Sequence, residues 1–112
     1  MNVFYIKAKD GREYPIRFSQ SVAYQLAAEE AVPMNKVASF FSGFQSWPIG
    51  RVYRYYLLAF RAGARKDGKE FTMTDEEFID WMGDDETIME QIIKYMAASF
   101  PADDGKKKAV KA

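Results

Sequence analysis

The chain has no cysteine and no histidine among its 112 residues. The first absence excludes disulfides, thiolate metal sites and a cysteine nucleophile. The second removes the commonest general base and the commonest transition-metal ligand. A Ser-His-Asp or Cys-His device therefore cannot be built within the chain. Net charge is lacking as well: 16 Lys and Arg balance 16 Asp and Glu, whereas a nucleic-acid-binding domain carries a basic excess. No apolar run approaches the roughly 20 residues needed to cross a bilayer. The start, Met1-Asn2-Val3-Phe4-Tyr5-Ile6-Lys7, has no basic segment ahead of a long apolar stretch, so no signal peptide is expected. The seven glycines are scattered and form neither a phosphate loop nor a dinucleotide fingerprint.

What the chain does have is aromatic residues: nine Phe, seven Tyr and two Trp. That is ample material for one folded domain. The expected fold is mainly α with a small N-terminal β-hairpin (α+β), a compact bundle of about five helices packed on two strands. The domain is placed at 1–100, with a disordered charged tail at 101–112, where Asp103-Asp104-Gly105-Lys106-Lys107-Lys108 offers nothing to bury.

The hairpin is expected over 3–18. A three-residue loop, Lys9-Asp10-Gly11, sets Ile6 opposite Tyr14 and Phe4 opposite Ile16, and gives Gly11 the left-handed position of the bulge. Pro15 cannot donate a ladder bond, which marks the second strand as an edge. Helices are expected at about 20–30, 34–44, 48–64, 75–82 and 85–99. Ser19 or Ser21 caps the first, and Val32-Pro33 ends it. Val37, Phe40, Phe41 and Phe44 fall at i, i+3, i+4 and i+7 in the second. Ser46 is placed as N-cap of the third, ahead of Pro48. Ile49, Val52, Tyr53, Tyr56, Leu57 and Phe60 make its inward stripe. Thr74-Asp75-Glu76-Glu77 is a capping box with Met73 and Phe78 as a staple, and Gly83 is the stop. Ile88, Met89, Ile92, Ile93, Met96 and Phe100 form the stripe of the last helix.

Three features are candidates for chemistry. Asp67-Gly68 resembles part of a calcium loop, but with Gly68 at the sixth position the first and last ligands would be Gly63 and Thr74, and neither is a carboxylate. No metal and no cofactor is expected. Asp84-Asp85-Glu86 suits a helix start, where acids meet the positive end of the dipole. The third feature is charge segregation. Arg51, Arg54, Arg61, Arg65, Lys66 and Lys69 stand against Asp67 alone, while residues 75–90 hold eight acids and no base. The two segments either neutralise each other as solvated faces, or steer a charged partner or a second copy head to tail. On the third helix Arg51, Arg54, Tyr55, Leu58 and Arg61 lie opposite the inward stripe. Arg and Tyr are favoured at interfaces, so these five residues are the expected protein-binding patch. The cluster Phe40, Phe41, Phe44 and Trp47 is either core or the lining of a groove for a partner helix.

The order of elements carries a resemblance. A hairpin ending Tyr14-Pro15-Ile16-Arg17-Phe18-Ser19 precedes a short helix with Glu29-Glu30. A longer helix ends Leu57-Leu58-Ala59-Phe60-Arg61-Ala62-Gly63. Then come Phe71-Thr72-Met73-Thr74-Asp75-Glu76-Glu77-Phe78-Ile79-Asp80-Trp81-Met82 and a Lys-rich tail. Over roughly residues 4–100 this resembles the tail assembly chaperones of long-tailed bacteriophages. The resemblance implies a protein of the host bacterial cytoplasm that is not an enzyme. It implies binding to the helical tape measure protein and recruitment of tail tube subunits. The alternative from another class is a general helical protein-interaction or DNA-associated regulatory module of phage or bacterial origin.

Overall fold

The computed structural model describes residues 3–99. The tail expected at 101–112, and Phe100 of the last stripe, lie outside the described residues. The hairpin is formed by β1 (Phe4–Lys7) and β2 (Glu13–Ile16), paired antiparallel with Phe4 opposite Ile16 and Ile6 opposite Tyr14. That is the expected register. Gly11 takes φ +86° at the loop, and the Ala8 N–H donates to the Arg12 carbonyl at 2.9 Å, closing the turn across Lys9-Asp10-Gly11. One hairpin face carries Ile6, Ile16 and Phe18, all fully buried. Burial of each such side chain stabilises the fold by about 1.5–3 kcal/mol, which a two-stranded ribbon needs to persist in water.

Five α-helices follow: α1 (Gln20–Glu29), α2 (Val37–Ser42), α3 (Ile49–Lys66), α4 (Asp75–Asp84) and α5 (Glu86–Ser99). Of the two candidate caps it is Ser19 that starts α1, accepting from the Val22 N–H. The helix ends in a Schellman motif. Ala31 N–H donates to Ala28 and Val32 N–H to Ala27, with Ala31 itself at φ +57°. The second helix is shorter than expected. Single 3₁₀ turns at Met34–Lys36 and Phe44–Ser46 flank six α-helical residues, and Ser46 lies in a turn instead of capping α3. Helix α3 starts after Pro48, which has no side-chain cap bond. Around Thr74 the capping box forms in full, with Thr74 accepting from the Glu77 N–H and Glu77 accepting from the Thr74 N–H. Gly83 does not stop α4. The helix runs on to Asp84 and ends because Asp85 turns extended to cap the next helix.

Helix α3 is the centre of the molecule. Residues 55–60 are buried all round, as are Ala62, Gly63 and Ala64, the mark of a helix enclosed by other elements. The inward stripe expected there is corrected accordingly: Ile49, in the first turn, is exposed, whereas Tyr55 and Leu58 join Tyr56, Leu57 and Phe60 inside. Strand β2 lies directly on α3. The Arg17 N–H donates to the Ala59 carbonyl at 3.0 Å. A Cβ added to Gly63 would stand 2.5 Å from the Pro15 carbonyl carbon and oxygen. Only glycine admits the strand this close.

Helix α5 closes the other side. The Gln91 amide donates to the Lys7 carbonyl and accepts from the Lys7 N–H, both at 2.8 Å, so a side chain satisfies the outward backbone groups at the end of β1. Phe4 stacks on Tyr95 with centroids 4.7 Å apart. Asp85 accepts from the Lys9 N–H at 2.7 Å and from Thr87, joining the hairpin loop to the start of α5.

Candidate functional site

Between Pro33 and Pro48 only the six residues of α2 are α-helical, flanked by two 3₁₀ turns. The four aromatics of this segment, Phe40, Phe41, Phe44 and Trp47, are half-buried at the margin of the core and packed against it. They gather round Trp47, whose ring lies 4.9 Å from Phe40, 5.3 Å from Phe41 and 4.9 Å from Phe44. The indole N–H donates to the Phe40 carbonyl at 3.1 Å. Arg51 lies over Phe40 at 5.0 Å and over Trp47 at 5.5 Å, and pairs with Glu30 at 3.0 Å.

On the other side of this cluster lies an open groove of about 550 Å³. Its walls are α1 (Ala23), α2 (Ala38, Phe41) and the outer face of α5 (Ile93, Met96), with Tyr55 of α3 among the lining residues. Burial pushes the Tyr55 hydroxyl well above the usual tyrosine range and raises Tyr56, with Tyr53 adding a smaller share, to about 12. Both phenols are therefore neutral at physiological pH and the groove holds no charge from them. The lining is apolar apart from the hydroxyls of Tyr55 and Ser42. Ile93, expected in the core stripe of α5, is instead 51% exposed beside it; Ile88 and Ile92 fill the core side, and a helix cannot bury both arcs against one neighbour.

The patch expected on α3 is not a surface. Tyr55 and Leu58 are 2% and 1% exposed, because the arc assigned to solvent is covered by the hairpin, α1 and the aromatic cluster. Its arginines have local partners. Arg54 makes a bidentate pair with Glu29, both bonds 2.9 Å, and reaches Asp75 at 3.2 Å, tying α1, α3 and the start of α4 together. Hydrogen bonds from Arg54 hold the Glu29 carboxyl below its ordinary range. With both side chains about a third exposed, such a pair contributes about 0.2–1 kcal/mol. Arg51 is held as described. Arg61 lies elsewhere, in a cleft of about 260 Å³ with Arg65, Lys69, Glu70, Phe71 and Thr72.

Sequence reasoning missed Gly63, Gln91 and the specific use of Asp85. Gly63 carries no signal apart from being a glycine within a strongly apolar helix. Gln91 stands out weakly, as a polar residue directly before Ile92 on a half-buried arc. Among the described residues no three acidic side chains gather into a group able to hold a metal ion, and no helix is long and apolar enough to cross a membrane. No protein-family model, curated protein or solved structure matches the chain.

Proposed function

We propose that this protein is a non-catalytic tail assembly chaperone of the host bacterial cytoplasm, and that it holds an apolar helix of the tape measure protein in the groove between α1, α2 and α5 while tail tube subunits are recruited. The groove itself is the observation that carries the reading. Each of its three wall helices presents an alanine, Ala23, Ala38 and Ala97, and small side chains let another helix approach closely. The half-buried rings of Phe41 and Phe44 supply contact area below, over the buried Tyr55. An amphipathic helix laid in such a groove buries one apolar face and leaves its polar face in water. The resemblance over residues 4–100 supplies the identity of that helix.

The test is co-expression with the tape measure protein of a long-tailed phage. Ala38 and Ile93 are both exposed, so an Ala38→Asp, Ile93→Asp double variant keeps the fold while charging two walls of the groove. The expected outcome is that the variant melts like the parent, fails to co-purify, and leaves the tape measure protein insoluble. An Arg54→Ala variant, altered outside the groove, retains the complex. A double variant that solubilises the partner as well as the parent does refutes the groove as the site.

A further inference from the structure

One polar atom of the groove has no partner inside the protein. Tyr55 is 2% exposed and lines the groove. Four rings clamp its own, with centroids 5.5 Å away at Phe18 and Phe41, 5.8 Å at Trp47 and 6.2 Å at Phe44. The ring cannot swing out, so its hydroxyl is held in place. Yet that hydroxyl makes no hydrogen bond among the described residues. Burial and the neighbouring Tyr56 alone account for its raised pKa, whereas for Tyr5 a hydrogen bond with Asp67 is the largest cause. Among the described residues Arg51 Nε is the one side-chain atom both sealed from the surface and unpartnered. The Tyr55 oxygen is therefore not sealed: the sliver of surface that the residue keeps includes it and opens on the groove. The other hydroxyl of the lining, Ser42, is exposed and already donates to the Ser39 carbonyl at 2.8 Å.

Buried polar side-chain atoms in folded proteins nearly all have a hydrogen-bond partner. While the groove is open, solvent satisfies the phenol. An apolar helix laid there seals the hydroxyl off, and a buried donor without an acceptor is costly. The neutral phenol donates one proton, so it needs an oxygen acceptor opposite it. Within a helix the backbone carbonyls are already engaged by N–H groups four residues on. The acceptor must come from a side chain, and a charged carboxylate would lose too much hydration in an apolar groove.

We propose that the helix received by the groove carries one neutral polar side chain, Ser, Thr, Asn or Gln, in the middle of its apolar face, and that the Tyr55 hydroxyl donates to its oxygen. This inference rests on the groove reading and adds to it the feature that selects one stretch of a long helix. An apolar stripe repeats every turn or two, so apolar contact alone slides from one register to the next. One buried polar pair fixes the register, because every shifted alignment leaves both groups unpaired. Tyr55 is thus the specificity-determining residue of the groove, while the alanines allow close approach.

The probe is the segment of tape measure protein that co-purifies with the parent, trimmed by proteolysis of the complex, and titration calorimetry reads its affinity. Tyr55→Phe is expected to melt no lower than the parent and to bind the segment roughly tenfold more weakly. Tyr56→Phe removes an equally buried hydroxyl outside the groove lining and binds like the parent. Changing the segment's central polar residue to leucine weakens binding to the parent by a similar factor, yet makes binding to Tyr55→Phe no weaker. A merely structural role for Tyr55 would make the two effects add. Four results overturn the proposal: a bound segment whose apolar face is uninterrupted, a Tyr55→Phe affinity equal to the parent's, two effects that add, or a Tyr55→Phe variant that melts well below the parent, which shows the hydroxyl bonded within the protein. In each case the groove reading stands as long as the Ala38→Asp, Ile93→Asp variant loses the segment. A parent that retains no segment overturns both.

Discussion

Replacing Gly63 by alanine sets two physical effects of opposite sign against each other. Helix propensity alone predicts a gain, since glycine in a helix interior is about 1 kcal/mol less favourable than alanine. The packing predicts a loss. The new methyl would meet the Pro15 carbonyl carbon and oxygen at 2.5 Å and the Ile16 nitrogen at 2.6 Å. These are backbone atoms, so no rotamer change relieves the overlap, and β2 must lift from α3. Overpacking of this kind costs about 1–3 kcal/mol. The Arg17–Ala59 backbone bond of 3.0 Å is stretched with it, for about a further 1 kcal/mol. The net expectation is a loss of roughly 1–3 kcal/mol after the propensity gain is subtracted. Urea unfolding followed by circular dichroism measures this, with Gly83→Ala as the control. Gly83 is also helical but has nothing within 4 Å of its added Cβ, so that variant gains up to about 1 kcal/mol. If Gly63→Ala is stabilised like Gly83→Ala, the close seating of the strand on α3 is wrong.

Two further predictions rest on single residues. Ala31 holds φ +57° at the end of α1, a conformation glycine adopts without strain, so Ala31→Gly raises stability by about 0.5–1 kcal/mol in thermal melts; a loss would mean that the Schellman geometry is absent in solution. The Thr87 hydroxyl, aided by the Lys9 and Thr87 N–H groups, holds the Asp85 carboxyl below its ordinary value of 3.8. A group depressed by folding lends stability that is present above its unfolded value and lost as pH falls through its folded one. Asp85→Asn therefore lowers the melting temperature at neutral pH, and its difference from the parent narrows as pH falls below the ordinary value of 3.8; a difference that stays constant on acidification counts against the carboxylate's role.

The local elements were legible in the sequence wherever a short-range rule controls them. The hairpin register followed from Gly11 and the alternation of Phe4, Ile6, Tyr14 and Ile16, and the start of α4 followed from Thr74 and Glu77. Legibility stopped where the environment of an element decides the matter. Periodicity assumes that a helix has one wet face, and α3 has none over residues 55–60, so the rule assigns Tyr55 and Leu58 to solvent although both are enclosed. The same rule packed Ile93 inward, although α5 exposes a second apolar arc to the groove. For the candidate site the aromatic half could be read, because Phe41 and Phe44 share a spacing. The α5 wall could not, because its pairing with α2 across the groove is a property of the tertiary arrangement alone.

The amide of Gln91 has a consequence for synthesis. It pairs the outward N–H and C=O of Lys7, the last residue of β1, from 84 residues further along the chain. A ribosome adding about 5–20 residues per second completes that interval in roughly 4–17 s. For those seconds the earliest strand has emerged with its outer N–H and C=O groups unpaired, a template for any neighbouring nascent chain. Tyr5 and Lys7, which flank Ile6, point away from the core, and the lysine charge is the one guard the strand carries by itself. A stall in translation after α4 and before Gln91 would lengthen that interval, so the pace at which α5 is made bears directly on how much of the protein reaches the folded state.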